Sequence, residues 1–155
     1  MFSGKTALIT GASSGIGEQM ARQLAAVGCN LILVSRRTDR LDTLARELST
    51  VTVDVITADL SDPQAADAVY EQTLVLGRQI DILINNAGFG FQKPLLSLSP
   101  VDRLGIVDVN ARSLLALTAS LNTPRHLPRQ GWRLDTPRRP ARHLVPRETT
   151  QCDDR

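Results

Sequence analysis

Short apolar runs and polar breaks alternate along the first 121 residues with two different periods. Thr6–Thr10 (TALIT), Asn30–Ser35 (NLILVS), Val51–Ala58 and Ile80–Asn85 (IDILIN) have the length and composition of strands. The second is continuously apolar, the pattern of a strand covered on both faces. Between the runs, apolar residues recur at helical spacing: Ile16, Met20, Leu24 and Val27, then Leu41, Leu44, Ala45 and Leu48. Thr38 is placed to cap the second helix. Pro63 is placed to open a third. Ser99-Pro100 reads as the start of a further helix, with Ala111, Leu114, Leu115, Thr118 and Leu121 on one face. Four such alternations predict an α/β fold with a doubly wound parallel sheet and right-handed crossovers. In such sheets ligands lie at the carboxyl ends of the strands.

The pattern stops near Asn122. Residues 1–121, read as one domain, carry 10 basic and 12 acidic side chains, whereas residues 122–155 carry 8 arginines and 4 acids. Five of the eight prolines and both histidines, His126 and His143, also fall after position 121. The last stretch holds only Leu127, Leu134, Leu144 and Val145 as branched aliphatics. That is too little apolar surface to offset ordering entropy, so an irregular, disordered tail is expected. Arginines scattered among prolines and acids, with Trp132 the one aromatic, make a weak case for binding nucleic acid or an acidic partner. No nucleic-acid partner is expected. With 3% aromatic residues, the core must be built from Leu, Ile, Val and Ala. No uninterrupted apolar run reaches bilayer length, and the first strand begins close to Met1; neither a membrane partner nor a leader is expected. Cys29 and Cys152 make no disulfide framework, and two dispersed histidines make no metal site. A cytoplasmic protein is the expectation.

The chemistry concentrates at the first strand–helix turn, Gly11-Ala12-Ser13-Ser14-Gly15-Ile16-Gly17. Gly11 permits a tight turn, and Gly15 lets backbone approach a pyrophosphate. Gly17 lets helix and strand pack closely, and the helix N-terminus offers free N–H groups to phosphates. With Thr10 in front, this stretch resembles the TGxxxGxG signature of the short-chain dehydrogenases/reductases. Asp59-Leu60 after the third strand, Asn85-Asn86-Ala87-Gly88 after the fourth and Val109-Asn110 in the next helix agree with that family in the right order. The resemblance covers about 121 residues and implies a Rossmann-type sheet of order 3-2-1-4. It implies that Asp59 and Leu60 hold adenine and that Asn86, Ala87 and Gly88 line the nucleotide site. Taken alone, Asp59 is more often a helix-start or loop residue, and NNAG is a strand end turning into a loop. The resemblance further implies that Asn110 lies at a helix kink where its backbone holds a water of a proton relay. A homo-oligomer and a small carbonyl or alcohol substrate are implied for full-length relatives.

Cofactor choice is read from the end of the second strand, Ser35-Arg36-Arg37. An acid there hydrogen-bonds the 2′-hydroxyl of NAD, whereas arginine suits the 2′-phosphate of NADP. With no acid at the strand end, two guanidinium groups and the Ser35 hydroxyl favour NADP(H) over NAD(H), although Asp39 lies close. A solvated basic turn is the alternative. The family also implies a catalytic Ser, and a Tyr and Lys four residues apart, the lysine lowering the tyrosine pKa so that the phenol works as acid or base. Here the only tyrosine is Tyr70, with Leu at 74, and the only lysines are Lys5 and Lys93. Tyr70 lies on the apolar face of the third helix and reads as core. The expectation is a chain that binds cofactor without turnover, or alternatively a non-catalytic nucleotide-binding or dimer-forming fragment. The resemblance breaks off inside a helix, which fits a disrupted reading frame. One choice of codons for Gln130–Thr136, shifted by a base, encodes Arg-Ala-Gly-Gly-Trp-Ile, similar to the approach to the family's fifth strand. A fourth strand left unpaired, and Leu114, Leu115 and Leu121 left bare, predict poor solubility and marginal stability.

Overall fold

Continuous burial of the central strands, on both faces of the sheet, sets the architecture. In the computed structural model, which describes residues 2–122, the elements follow the predicted order. They are β1 (Thr6–Thr10), α1 (Gly15–Ala26), β2 (Asn30–Ser35), α2 (Thr38–Glu47), β3 (Val53–Thr57), α3 (Ala65–Val75) and β4 (Ile82–Ile84). A short 3₁₀ turn at Leu95–Ser97 leads to α4 (Pro100–Val107), a π-helical turn at Asp108–Arg112 and α5 (Ser113–Asn122). The expected tail, with His126, His143 and Cys152, lies outside the described residues.

The four strands form one parallel sheet in the order β3-β2-β1-β4, as the sequence predicts. Successive side chains on a strand point to opposite faces. Ala7, Ile9, Leu31 and Leu33 therefore join Ala21, Ala25, Leu41 and Leu44 in a core under α1 and α2. Leu8, Ile32 and Val34 join Ile56, Val69, Val109 and Leu117 in a second core under α3 and α5. A sheet covered on both faces needs continuously apolar central strands, which is why NLILVS does not alternate. The β4 edge is fastened by Asp81, whose Oδ1 takes the Lys5 ammonium at 2.9 Å and whose Oδ2 accepts from Thr6 N–H at 2.9 Å. Among the described residues β4 pairs with β1 alone.

Several local expectations need correction. β3 and β4 are shorter than the apolar runs that announce them, at five and three residues. Thr38 does not cap α2; Arg37 holds the cap position, and the Thr38 hydroxyl instead meets that of Thr57 on β3 at 2.7 Å. Pro63 precedes α3 by two residues, and the intervening turn is closed by Asp62, whose carboxylate accepts from Gln64 N–H at 2.9 Å. Ser99 does cap α4, accepting from Asp102 N–H at 3.1 Å, with Pro100 in the first turn. On α1 the large apolar stripe is not the buried face: Ile16 is 69% exposed and Val27 51%, whereas Gly17, Ala21 and Ala25 are buried. The fully buried positions of this helix are all small, and of the stripe only Leu24 packs partly against the core.

The last helix is a further correction. From Pro100 to Leu121 it runs 22 residues and by length and composition can cross a membrane, a feature hidden in the sequence by Asp102, Arg103, Asp108 and Arg112. Its buried line is Val109, Ser113 and Leu117, packed toward α3, rather than the predicted face. Leu114 and Leu115 are exposed as expected of bare leucines, while Leu121 packs partly against the core. The face was misread because its middle residue is polar; Ser113 is buried with its hydroxyl donating to Val109 O at 2.8 Å. Leu117→Ala is expected to cost about 2–5 kcal/mol. Leu115→Ala, on the opposite side, should stay within about 0.5 kcal/mol. Urea unfolding of the two variants checks the assignment, and the reverse order would contradict it.

Candidate functional site

The carboxyl ends of β1, β2, β3 and β4 converge on a cleft of about 250 Å³. It is lined by Gly11, Ser13, Ser14, Ser35, Arg36, Arg37, Asp59, Leu60, Asn86, Ala87 and Gly88, together with Val34, Ala58, Phe89 and Val109. Eleven of the sequence-predicted residues thus meet in one place, from four separate loops. Gly15, Ile16 and Gly17 do not line it; they form the first turn of α1 beside it. A broader depression of about 700 Å³, lined by Lys5, Thr6, Arg78 and Asp81 among others, lies at the opposite, amino ends of the strands and away from the glycine-rich turn.

The glycine-rich turn is shaped by two close approaches. Gly11 has φ +66°, and a Cβ there would stand 2.9 Å from Ala87 Cα. At Gly17 a Cβ would fall 2.5 Å from both Asn86 Nδ2 and Gly11 O. Gly15 has φ +59° with open space where a side chain would be, so the turn presents bare backbone to the solvent side. Ser14 occupies the cap position of α1 without accepting a hydrogen bond from the helix. The first-turn N–H groups therefore receive no side-chain cap, the arrangement that suits an anion.

Arg37 closes the turn from β2. Its Nη2 donates to Ser14 Oγ at 2.7 Å and to Ser13 Oγ at 3.1 Å. Its own N–H donates to Ser35 Oγ at 3.2 Å. Arg36, more than two-thirds exposed, stands 3.9 Å from Asp59. Two guanidinium groups and three hydroxyls therefore cluster at one end of the cleft, a donor-rich site matched to a phosphate. For Asp59, partial burial pushes the carboxyl pKa up, but the Ser61 N–H and hydroxyl donating to Oδ1, together with the Arg36 charge, outweigh it and hold the group below its ordinary value.

Asn86 faces away from the space a ligand would take. Its Nδ2 donates to Thr10 O at 3.1 Å and Gly11 O at 3.3 Å. Thr10, quoted in the motif but given no role by the sequence reading, is the reciprocal partner. Its buried hydroxyl accepts from Asn86 N–H at 3.1 Å and Ala87 N–H at 3.0 Å. A fully buried β-branched residue with a hydroxyl, ending an otherwise apolar strand, is the signal that could have found it. Asn110, at the centre of the π turn, holds the next loop: Oδ1 accepts from Phe89 N–H at 3.0 Å and Nδ2 donates to Phe89 O at 2.8 Å. Tyr70 is buried on α3, and Lys5 is engaged at the far end of the sheet.

A parallel sheet of this order, with a glycine-rich turn leading into a helix at its centre, defines a Rossmann-like fold. The family model for short chain dehydrogenase matches residues 5–128, extending past Leu121, where the sequence reading placed the boundary. The chain belongs to the short-chain dehydrogenase family. A Drosophila melanogaster protein named dehydrogenase/reductase SDR family protein 7-like is 36% identical over 124 residues, covering 76% of this chain and 38% of that protein. Among solved structures, a metagenomic short-chain oxidoreductase in complex with NADP superposes with TM-score 0.71 at 32% identity, covering 77% of this chain and 55% of its own. L-Sorbose reductase from Gluconobacter frateurii, complexed with NADPH and L-sorbose, gives TM-score 0.73 at 34% identity, covering 77% and 47%. The chain thus spans about two-fifths of the length of the first curated relatives it matches.

Two outcomes test this geometry. Gly17→Ala, which forces a methyl against Asn86 and the Gly11 carbonyl, should destabilise the protein by about 1–3 kcal/mol in chemical unfolding; an unchanged midpoint would contradict the close approach. Asp59 contributes stability above its unfolded pKa, about 3.9, which is lost as pH falls through the lower folded value. The stability gap between the protein and Asp59→Asn should therefore narrow on acidification from about pH 6 to about pH 3. A gap independent of pH would remove Asp59 from the electrostatics of the cleft.

Proposed function

We propose that this chain binds NADP(H) in the cleft at the strand ends, in preference to NAD(H). The carrying observation is the guanidinium of Arg37 seated on the Ser13 and Ser14 hydroxyls, with Ser35 and Arg36 beside it. No carboxylate occupies the end of β2, where a 2′-hydroxyl would need an acceptor. In this reading Arg36, Arg37 and Ser35 hold the 2′-phosphate, and the N–H groups of Gly15, Ile16 and Gly17 face the pyrophosphate. Asp59 and Leu60 flank the adenine, and Ala87 and Gly88 give a side-chain-poor wall. The fit rests on this chain's own features: glycines at closely approached positions, an uncapped helix start and a convergent donor set. That two similar structures are NADP and NADPH complexes supports the same reading.

The whole-protein activity we infer is carbonyl–alcohol interconversion on a small molecule. The nicotinamide, when bound, supplies or accepts the hydride. Proton transfer requires an acid such as a tyrosine with a neighbouring lysine. These 155 residues hold one tyrosine, buried in α3, with no lysine four residues on. The chain by itself is therefore read as a nucleotide binder without turnover. Asn110 retains the position that the family resemblance associates with the proton relay.

Titration of the protein with NADPH and NADH, followed by nucleotide fluorescence, tests the assignment. NADPH should bind more tightly, and Arg36→Ala/Arg37→Ala should weaken it roughly 10- to 100-fold while leaving NADH little changed, since each charge-assisted bond contributes about 1.5–3 kcal/mol. Equal affinities for the two nucleotides would overturn the preference. Oxidation of NADPH with any member of a carbonyl panel would overturn the absence of turnover.

A further inference from the structure

The π turn at Asp108–Arg112 is spanned by two side-chain contacts, the Ser113 hydroxyl on Val109 O and the Arg112–Asp108 ion pair. The N–H of Ser113 reaches back five residues to Asp108 O, the π-helical bond. In an α-helix the same N–H would take the carbonyl four residues back, Val109 O. That carbonyl receives the Ser113 hydroxyl at 2.8 Å, within a buried environment where Ser113 is 5% exposed. One residue thus serves two successive carbonyls, the first with its backbone and the second with its side chain. Without the hydroxyl, Val109 O loses that bond, and drawing the Ser113 N–H back into α register would replace it. The pair Asp108–Arg112, at 2.9 Å, brackets the same turn with a buried carboxylate and an exposed guanidinium, but it touches neither Ser113 nor Val109 O.

The register matters because of what the turn carries. Asn110 lies in its middle, and its amide grips both backbone groups of Phe89. Residues along a helix are about 100° apart, so converting one π turn to α register turns Asn110 away from the loop. The approach has little tolerance, since a Cβ on Gly88 would stand 2.9 Å from Asn110 Oδ1. Gly88, Phe89 and Val109 all line the cleft.

We propose that Ser113 is a positioning residue, which keeps the π turn open and thereby aims Asn110 at Phe89, fixing the loop that walls the cleft. Its bearing on cofactor rests on the nucleotide reading above; its action on Asn110 and Phe89 does not. Amide hydrogen exchange and side-chain amide resonances of the full chain test it without any ligand. In Ser113→Ala the Phe89 amide should exchange about five- to tenfold faster, the loss of one hydrogen bond, and the Asn110 side-chain amide resonances should move. Ser113→Thr keeps a hydroxyl able to bond the carbonyl four residues back and should restore both signals. In an Asn110→Ala background the Phe89 amide should already be fast, and Ser113→Ala should add nothing. Unchanged Phe89 exchange in Ser113→Ala would overturn the proposal, even if that variant melts at a lower temperature. So would an equal acceleration with Asn110 absent. Should Ser113→Ala not fold, the Thr variant decides: wild-type Asn110 resonances support the hydroxyl's role, and displaced ones sink it. NADPH binding measured on the same variants reports separately on the nucleotide reading.

Discussion

The junction between the ends of β1 and β4 is the constraint on which the rest of the site depends. The Thr10 and Asn86 side chains make four hydrogen bonds there: the threonine hydroxyl takes the N–H groups of Asn86 and Ala87, and the asparagine amide donates to the carbonyls of Thr10 and Gly11. All four are backbone groups at the point where the two strands end, where buried main-chain polar groups need partners. Because the two side chains satisfy them reciprocally, the strands can end together and turn apart. The turn after β1 is pinned on one side by this junction and on the other by Arg37. A segment of seven residues containing three glycines is thereby fixed without any helix cap of its own.

Close approach at that junction explains α1. A helix whose start lies within reach of Asn86 and the Gly11 carbonyl cannot place a large side chain toward the sheet. Gly17, Ala21 and Ala25 accordingly form the buried stripe, while Ile16 and Met20 face outward. The apolar stripe in the sequence was real as a pattern but marked the wrong side. Hydrophobicity alone does not separate residues that fill a core from residues that flank a cleft, and Ile16, beside the glycine-rich turn, belongs to the second kind.

The fold was legible where burial is uniform and illegible where polar groups do the fixing. β1 and β2 could be read to the residue, because both faces of each are covered and an apolar run lies between polar end residues. The sheet order followed from the family resemblance. The runs read for β3 and β4 overshot, since the apolar residues Val51 and Ile80 lie ahead of the first paired positions, Val53 and Ile82. Thr38, Ser113 and Thr10 were misassigned or passed over for a common reason. Each hydroxyl bonds a partner, at Thr57, Val109 and Asn86–Ala87 respectively, that no local rule about caps or stripes contains. The cleft was legible as a set of residues, since four motifs sit at four strand ends. Its internal wiring was not: nothing in Ser35-Arg36-Arg37 says which arginine turns onto the serines and which remains outside.

That division between the arginines sharpens the proposed cofactor preference. Arg37 is held by two hydroxyls, so its rotamer freedom is already restricted before any phosphate arrives. Arg36 is exposed and only loosely associated with Asp59, whose charge is engaged by Ser61 as well. One preorganised and one adaptable guanidinium can meet a phosphate dianion from two directions. All of this machinery lies between Thr6 and Asn110, on the central strands and the loops that leave them. The nucleotide cradle and the proton-transfer pair are therefore separable in principle: the first is wired locally through backbone groups, hydroxyls and two arginines, whereas the second needs a tyrosine beside a lysine. Tyr70 cannot serve, because it is buried in α3 among the residues that pack that face of the sheet. On the proposed reading, the cleft is a nucleotide site whose proton chemistry has to come from residues other than the ones that build it.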